Sequence, residues 1–191
     1  MKFLLIGAAL LSCMTSVSAD TRKVVTKDEA QKAFREYRTA VKLITSIHTD
    51  LMQSNITSDS TDEFEIPKKH IGNYKLARKH LEASIKLNPY YPEAYVFLAN
   101  SYWEIENDLK KVVVYYSKAL EFDPEYEGVV SARGHVLTLL GRIEEAEKDL
   151  ETLKGLNSEF TDSLRNDIAT AKAKKAQEKN PEPKATPSTD S

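Results

Sequence analysis

One cysteine among 191 residues, Cys13, cannot close a disulfide within the chain, so no disulfide framework holds the fold together. Glycine is equally scarce at six residues, and no Gly-x-Gly-x-x-Gly, Gly-Lys-Ser/Thr or Gly-x-Ser-x-Gly run cradles a phosphate or exposes a nucleophile. Charge of one sign is lacking too: 27 Lys and Arg face 29 Asp and Glu, a net -2, which gives no overall basic field for nucleic acid. A mean hydropathy of -0.47 excludes a polytopic membrane protein. The first apolar run, Phe3 to Leu11, falls well short of the roughly 20 residues that cross a bilayer. The four histidines, His48, His70, His80 and His135, are far apart in sequence and have no cysteine companion, so no metal site and no cofactor is predicted. These absences leave a single protein domain without evident catalytic chemistry, predicted not to be an enzyme.

What is present begins with that short apolar run. It follows Lys2 and leads to Val17-Ser18-Ala19, small residues at the -3 and -1 positions of a leader cleavage site. Residues 1–19 read as a signal peptide cut before Asp20, which predicts a periplasmic or secreted protein with no membrane span after processing. In a second register, Leu10-Leu11-Ser12-Cys13 resembles a lipoprotein box. Cys13 would then be lipidated and anchor the protein to a membrane. Either way the folded part contains no thiol, as suits an oxidising compartment. The short leader and the thiol-free mature chain read as bacterial rather than eukaryotic. Asn55-Ile56-Thr57 is a glycosylation sequon that matters only in a eukaryotic secretory route.

The chain also repeats itself. Ala77, Val112 and Ala146 are spaced by 35 and 34 residues, and so are Leu81, Tyr116 and Leu150, then Ser84, Ala119 and Leu153, then Pro89, Pro124 and Ser158. Upstream, Ala99 and Gly134 are 35 apart, as are Tyr102 and Leu137, and Gly141 closes a helix. Small residues in such columns let two antiparallel helices approach closely while the large ones fill the groove between them, and proline ends the second helix. This pattern resembles the tetratricopeptide repeat. The resemblance implies an all-α fold: a short α-solenoid of antiparallel helix pairs.

Its parts are read as a half repeat over 68–91, a repeat over 92–124 and a repeat over 127–158. Thr26-Lys27-Asp28-Glu29 forms a capping box, and Phe34, Tyr37, Val41, Ile44, Ile47 and Leu51 recur every three or four residues after it. The spacing predicts one long helix over 27–53, joined through an acidic loop over 54–67. Phe160, Leu164, Ile168 and Ala171 mark a capping helix over 159–178, which covers the last repeat and completes a helical domain over 20–178. Residues 179–191, with three prolines, are predicted to be disordered. Arg133 departs from the pattern by standing where a large apolar residue is usual.

The resemblance further implies a concave groove lined by the first helix of each pair. At those positions stand Glu93, Val96, Asn100, Trp103 and Glu104, then Gly128, Ser131, His135, Thr138 and Leu139. Trp103 beside Asn100 and a carboxylate makes a candidate peptide contact, although packing on the capping or N-terminal helix is an equal reading. Val96 and Ser131 occupy positions where the family's basic clamp for a C-terminal carboxylate would need lysine, so that mode of recognition is not expected. Residues 67–91 hold six bases and one acid, whereas residues 92–159 hold seven bases and fourteen acids. Lys68, Lys69, Lys75, Arg78, Lys79 and Lys86 are placed to meet an acidic partner or the acidic loop. The reading that follows is a non-enzymatic adaptor or scaffold of a bacterial cell envelope. It would bind a protein or peptide segment, not nucleic acid, in its groove and support assembly of an envelope complex. The alternatives are a self-associating structural protein, hence a homo-oligomer, or a lipoprotein held through Cys13.

Overall fold

The structure, a computed structural model, describes residues 23–53 and 67–179. The leader, Cys13, the Asn55 sequon, residues 54–66 of the acidic loop and the tail beyond 179 lie outside them. Seven helices run through the described residues: α1 (Lys27–Gln53), α2 (Lys68–Leu87), α3 (Pro92–Glu106), α4 (Leu109–Phe122), α5 (Glu127–Leu139), α6 (Ile143–Gly155) and α7 (Thr161–Lys179). Each packs on its sequence neighbour, and α7 also packs on α5. The result is an all-α solenoid of helix pairs in which α1, α3, α5 and α7 share one side.

Local chemistry sets where the helices start and stop. Thr26 and Glu29 form the reciprocal capping box: the Thr26 N–H and hydroxyl both donate to Glu29 Oε2 at 3.0 Å, and the Glu29 N–H donates back to Thr26 Oγ1 at 3.2 Å. Pro92 opens α3 at a position where no N–H is needed, and Asp108 caps α4 by accepting from the Lys111 N–H at 3.1 Å. Three turns end in a left-handed residue: Asn107 (φ 47°), Gly141 (φ 70°) and Asn157 (φ 53°). At the first of these, the Asn107 N–H returns to the Trp103 carbonyl at 3.0 Å and closes the α3–α4 connection in a tight turn.

The repeating columns face inward. Ala77, Val112, Ala146, Ser84, Ala119 and Leu153 have no exposed surface, and Leu81, Tyr116 and Leu150 are buried beside them. Two core clusters result, one between α1, α2 and α3 and one spanning α3 to α7, with Ile85, Tyr102 and Tyr115 packing against both. Gly134 is small for a specific reason. A Cβ there would come 2.6 Å and 2.8 Å from the two methyl groups of buried Leu164, so the missing side chain is what lets α7 lie against α5.

Two charged residues occupy places the pattern did not foresee. Arg133 replaces an apolar residue because it reaches buried Asp149 on α6 with two bonds, at 2.5 Å and 3.1 Å, and Ser117 Oγ on α4 at 3.1 Å. It therefore ties three helices together. Burial of Asp149 holds its carboxyl above the usual carboxylate range despite the guanidinium beside it. Arg78 does not belong to the surface patch expected of it. It is buried, donates to Ser101 Oγ at 3.0 Å, to the Ser101 carbonyl at 2.7 Å and to Glu106 Oε1 at 2.5 Å, and its guanidinium lies 3.9 Å from the Tyr102 ring centroid. Its charge fastens α2 to the end of α3 and is not offered to an acidic partner.

Candidate functional site

Side chains from the first helix of each pair meet across the face shared by α1, α3, α5 and α7. The central contact is between Trp103 on α3 and His135 on α5, whose rings stack at 6.0 Å between centroids and 7° between planes. His135 Nδ1 lies 2.8 Å from Asp167 Oδ2 on α7, and the Thr138 hydroxyl donates to the His135 carbonyl at 2.7 Å. Trp103 also packs against the larger core cluster, to which Leu164 and Ile168 of α7 belong. It remains half exposed, as does the imidazole beneath it.

Beyond this stack lies a groove of about 590 Å³ between the end of α5 and α7, lined by His135, Thr138, Leu139, Ile143, Asp167, Ala171 and Lys174 among others. Its volume is in the range of sites that take a side chain or small ligand. Leu139 stands exposed within it, so one of the residues at the expected groove positions offers apolar area that no helix covers.

On the other side of Trp103, the carboxylate of Glu104 accepts from the Tyr74 hydroxyl and lies 3.4 Å from His48 Nε2 on α1. Burial pushes the Tyr74 phenol up, and the Glu104 charge adds to the effect. Asn100 Oδ1 accepts from the Tyr116 hydroxyl of α4 at 2.6 Å, and burial raises that phenol to about 12. A small pocket of about 30 Å³ separates these groups, with Ile44 and Phe97 among its walls. Val96 packs half-buried against the larger core cluster, and Ser131 is half-buried on α5. Glu93 stands apart in the first turn of α3, where its Oε2 is buried without a hydrogen-bond partner.

The residues expected at groove positions thus share a face but form three groups: Trp103 with His135 and Thr138, Asn100 with Glu104, and Glu93 alone. Three contributors escaped the sequence reading. Asp167 stands on the capping helix beyond the last full repeat, and the repeat period of 34 to 35 residues does not lead from His135 to it. His48 and Tyr37 lie on a helix longer than the repeat, so no register carried them to this face. Among the described residues no group of three or more His, Cys, Asp or Glu side chains is placed to hold a metal ion, and no helix is long and apolar enough to cross a membrane.

Residues 92–126 match a family model described as Tetratricopeptide repeat. Mitochondrial import receptor subunit TOM70 from two Saccharomyces cerevisiae strains, YJM789 and ATCC 204508 / S288c, is 32% identical to this chain over 120 residues. That similarity covers 58% of this chain and 19% of the receptor subunit, so the chain spans about one fifth of the curated relatives it matches. Among solved structures, the first TPR of Spaghetti (RPAP3), bound to the HSP90 peptide SRMEEVD, superposes with a TM-score of 0.54 at 22% identity. It covers 75% of this chain and 95% of that one, and establishes the shared fold. With its small-residue columns buried between paired helices, the chain has the tetratricopeptide-type fold, and its middle pair over residues 92–126 matches the tetratricopeptide repeat model.

Proposed function

We propose that this chain is a non-enzymatic tetratricopeptide adaptor that seats a protein or peptide segment along the face of α1, α3, α5 and α7. One observation carries the reading: the half-exposed Trp103–His135 stack stands directly beside the 590 Å³ groove and the uncovered Leu139. A rigid indole held by its neighbours presents a large contact area at little entropy cost. The solved neighbour bound to a peptide supports the same use of the fold. The apparent leader over residues 1–19 supports export, and we place the adaptor in a bacterial envelope, where it helps to assemble a larger complex.

Capture of partners from an envelope extract tests the groove. Wild type and a Trp103→Ala plus Leu139→Glu variant are compared as immobilised baits, with circular dichroism to verify that both are folded. The variant should lose the specific partners, and an identical partner set on both baits overturns the assignment. Intact mass of the exported protein tests the address. A mass matching unmodified Asp20 onward supports a free periplasmic or secreted form, whereas a lipid-modified Cys13 replaces it with a membrane-anchored one.

A further inference from the structure

Glu93 is the one expected groove residue whose carboxylate has no internal use. Pro92 before it has no N–H, the Ala94 N–H is taken by the Tyr91 carbonyl at 3.1 Å, and Glu93 Oε2 is buried with no donor. Aromatic rings surround this end of the face. Tyr37 of α1 meets Tyr91 edge to face at 4.8 Å and Phe97 of α3 at 5.8 Å and 71°, and all three are half-buried. Tyr126, just before α5, lies near enough to bear on Tyr37 as well, whose phenol burial raises to about 12 with smaller contributions from Tyr91, Glu93 and Tyr126.

A carboxylate oxygen removed from water without a donor is costly, and ring faces carry negative potential. Both terms are relieved by a cation and worsened by an anion. No base among the described residues forms an ion pair with Glu93: on the later helices Lys111 pairs with Glu106 and Asp108, Lys118 with Glu121, Arg133 with Asp149 and Arg142 with Glu145. Arg38 lies 5.7 Å from the centroid of Phe34, the outer ring stacked on Tyr37, so the cluster already attracts a guanidinium at its rim. Glu104, the other carboxylate at the groove positions, is eleven residues further along α3, about 16 Å at 1.5 Å per residue, and is occupied by Tyr74 and His48.

We propose that Glu93 with Tyr37, Tyr91 and Phe97 forms a cation-binding site that takes an arginine or lysine side chain from a basic segment of the partner protein. This rests on the groove reading above and names its chemistry: the segment enters with a positive charge at the α1–α3 end of the face.

Two-dimensional NMR of the full chain, titrated separately with N-acetyl-arginine amide and its neutral analogue N-acetyl-citrulline amide, tests the site. The arginine derivative should shift the ring signals of Tyr37, Tyr91 and Phe97 and bind at least roughly fivefold tighter than citrulline, as a partly desolvated cation–ring contact supports. Glu93→Gln, close to isosteric, should abolish that preference, and Tyr37→Leu should weaken it. Equal binding of the two probes, unmoved ring signals, or a preference that survives Glu93→Gln overturns the proposal. Selection of random twelve-residue peptides on the full chain separates the two readings. Peptides that respond to Trp103→Ala but show no enrichment in Lys or Arg leave the groove standing and refute the cation site. If no selected peptide responds to Trp103→Ala, the groove reading itself is refuted.

Discussion

Arg133→Met removes the guanidinium bonded to Asp149, whose side chain is 3% exposed, while keeping the length and most of the apolar stem of the original residue. The carboxylate left behind has desolvation without compensation, and breaking a buried pair from one side costs about 3–5 kcal/mol. For a chain of this size each kcal/mol lowers Tm by about 2–4 °C, so Tm should fall by roughly 6–20 °C. Thermal and urea unfolding followed by circular dichroism measure it. Adding Asp149→Leu replaces both partners by apolar groups and should recover most of the loss. A pH series supplies a second readout. The folded-state pKa of Asp149 is raised above its ordinary value, so the native state holds the proton more tightly than the unfolded chain does. Between those two values stability falls as pH rises, and it is greatest on the acid side of the window. In Arg133→Met the folded value should rise further, so the window widens upward and acidification should restore stability to the variant more than to wild type. A loss under about 1 kcal/mol, or a double variant no better than the single, would refute the pairing of burial with charge argued for this site.

Gly134→Ala pits a helix-propensity gain of about 1 kcal/mol against overpacking of about 1–3 kcal/mol on Leu164, and urea unfolding should show net destabilisation that Leu164→Ala in the same chain partly absorbs. A more stable Gly134→Ala would show that Leu164 moves aside freely. Asn107→Ala and Asn157→Ala each force a Cβ-bearing residue without a local polar side chain into the left-handed region and should cost about 1–2 kcal/mol, whereas glycine at either position should be neutral or better in the same assay. Thr26→Ala breaks the capping box and should cost about 1 kcal/mol, read as faster amide exchange confined to the first turn of α1.

The solenoid is legible in the chain because its cause is periodic. A residue at a helix–helix crossing must be small in every repeat, so Ala77, Val112 and Ala146 announce the fold without reference to any one neighbour, and each is fully buried. Polar partnerships follow no such period. Arg133 looked like a flaw in the pattern because its partners, Ser117 and Asp149, are set by the reach of a guanidinium across two helix crossings. Arg78 counted as a surface base for the same reason: composition records its charge, whereas only the orientation of α2 records that the charge points toward Ser101 and Glu106. A one-dimensional register places each groove position separately and carries no information on which of them are consumed by each other.

That distinction decides what the face has to offer. His135 is held between Trp103 and Asp167, Glu104 between Tyr74 and His48, and Asn100 by Tyr116, so these groups bridge successive first helices or pin a first helix to its mate. A partner that seized any of them would have to replace an existing bond, gaining only the difference between two similar interactions. Residues with nothing to give up make the better contacts: the outer face of Trp103, the uncovered Leu139, and the unpaired carboxylate of Glu93. They lie toward opposite ends of the face, apolar beside α7 and anionic beside α1. Under the proposed function, a segment that satisfied both would run across the first helices from a positive charge at the α1–α3 end to an apolar side chain near α7.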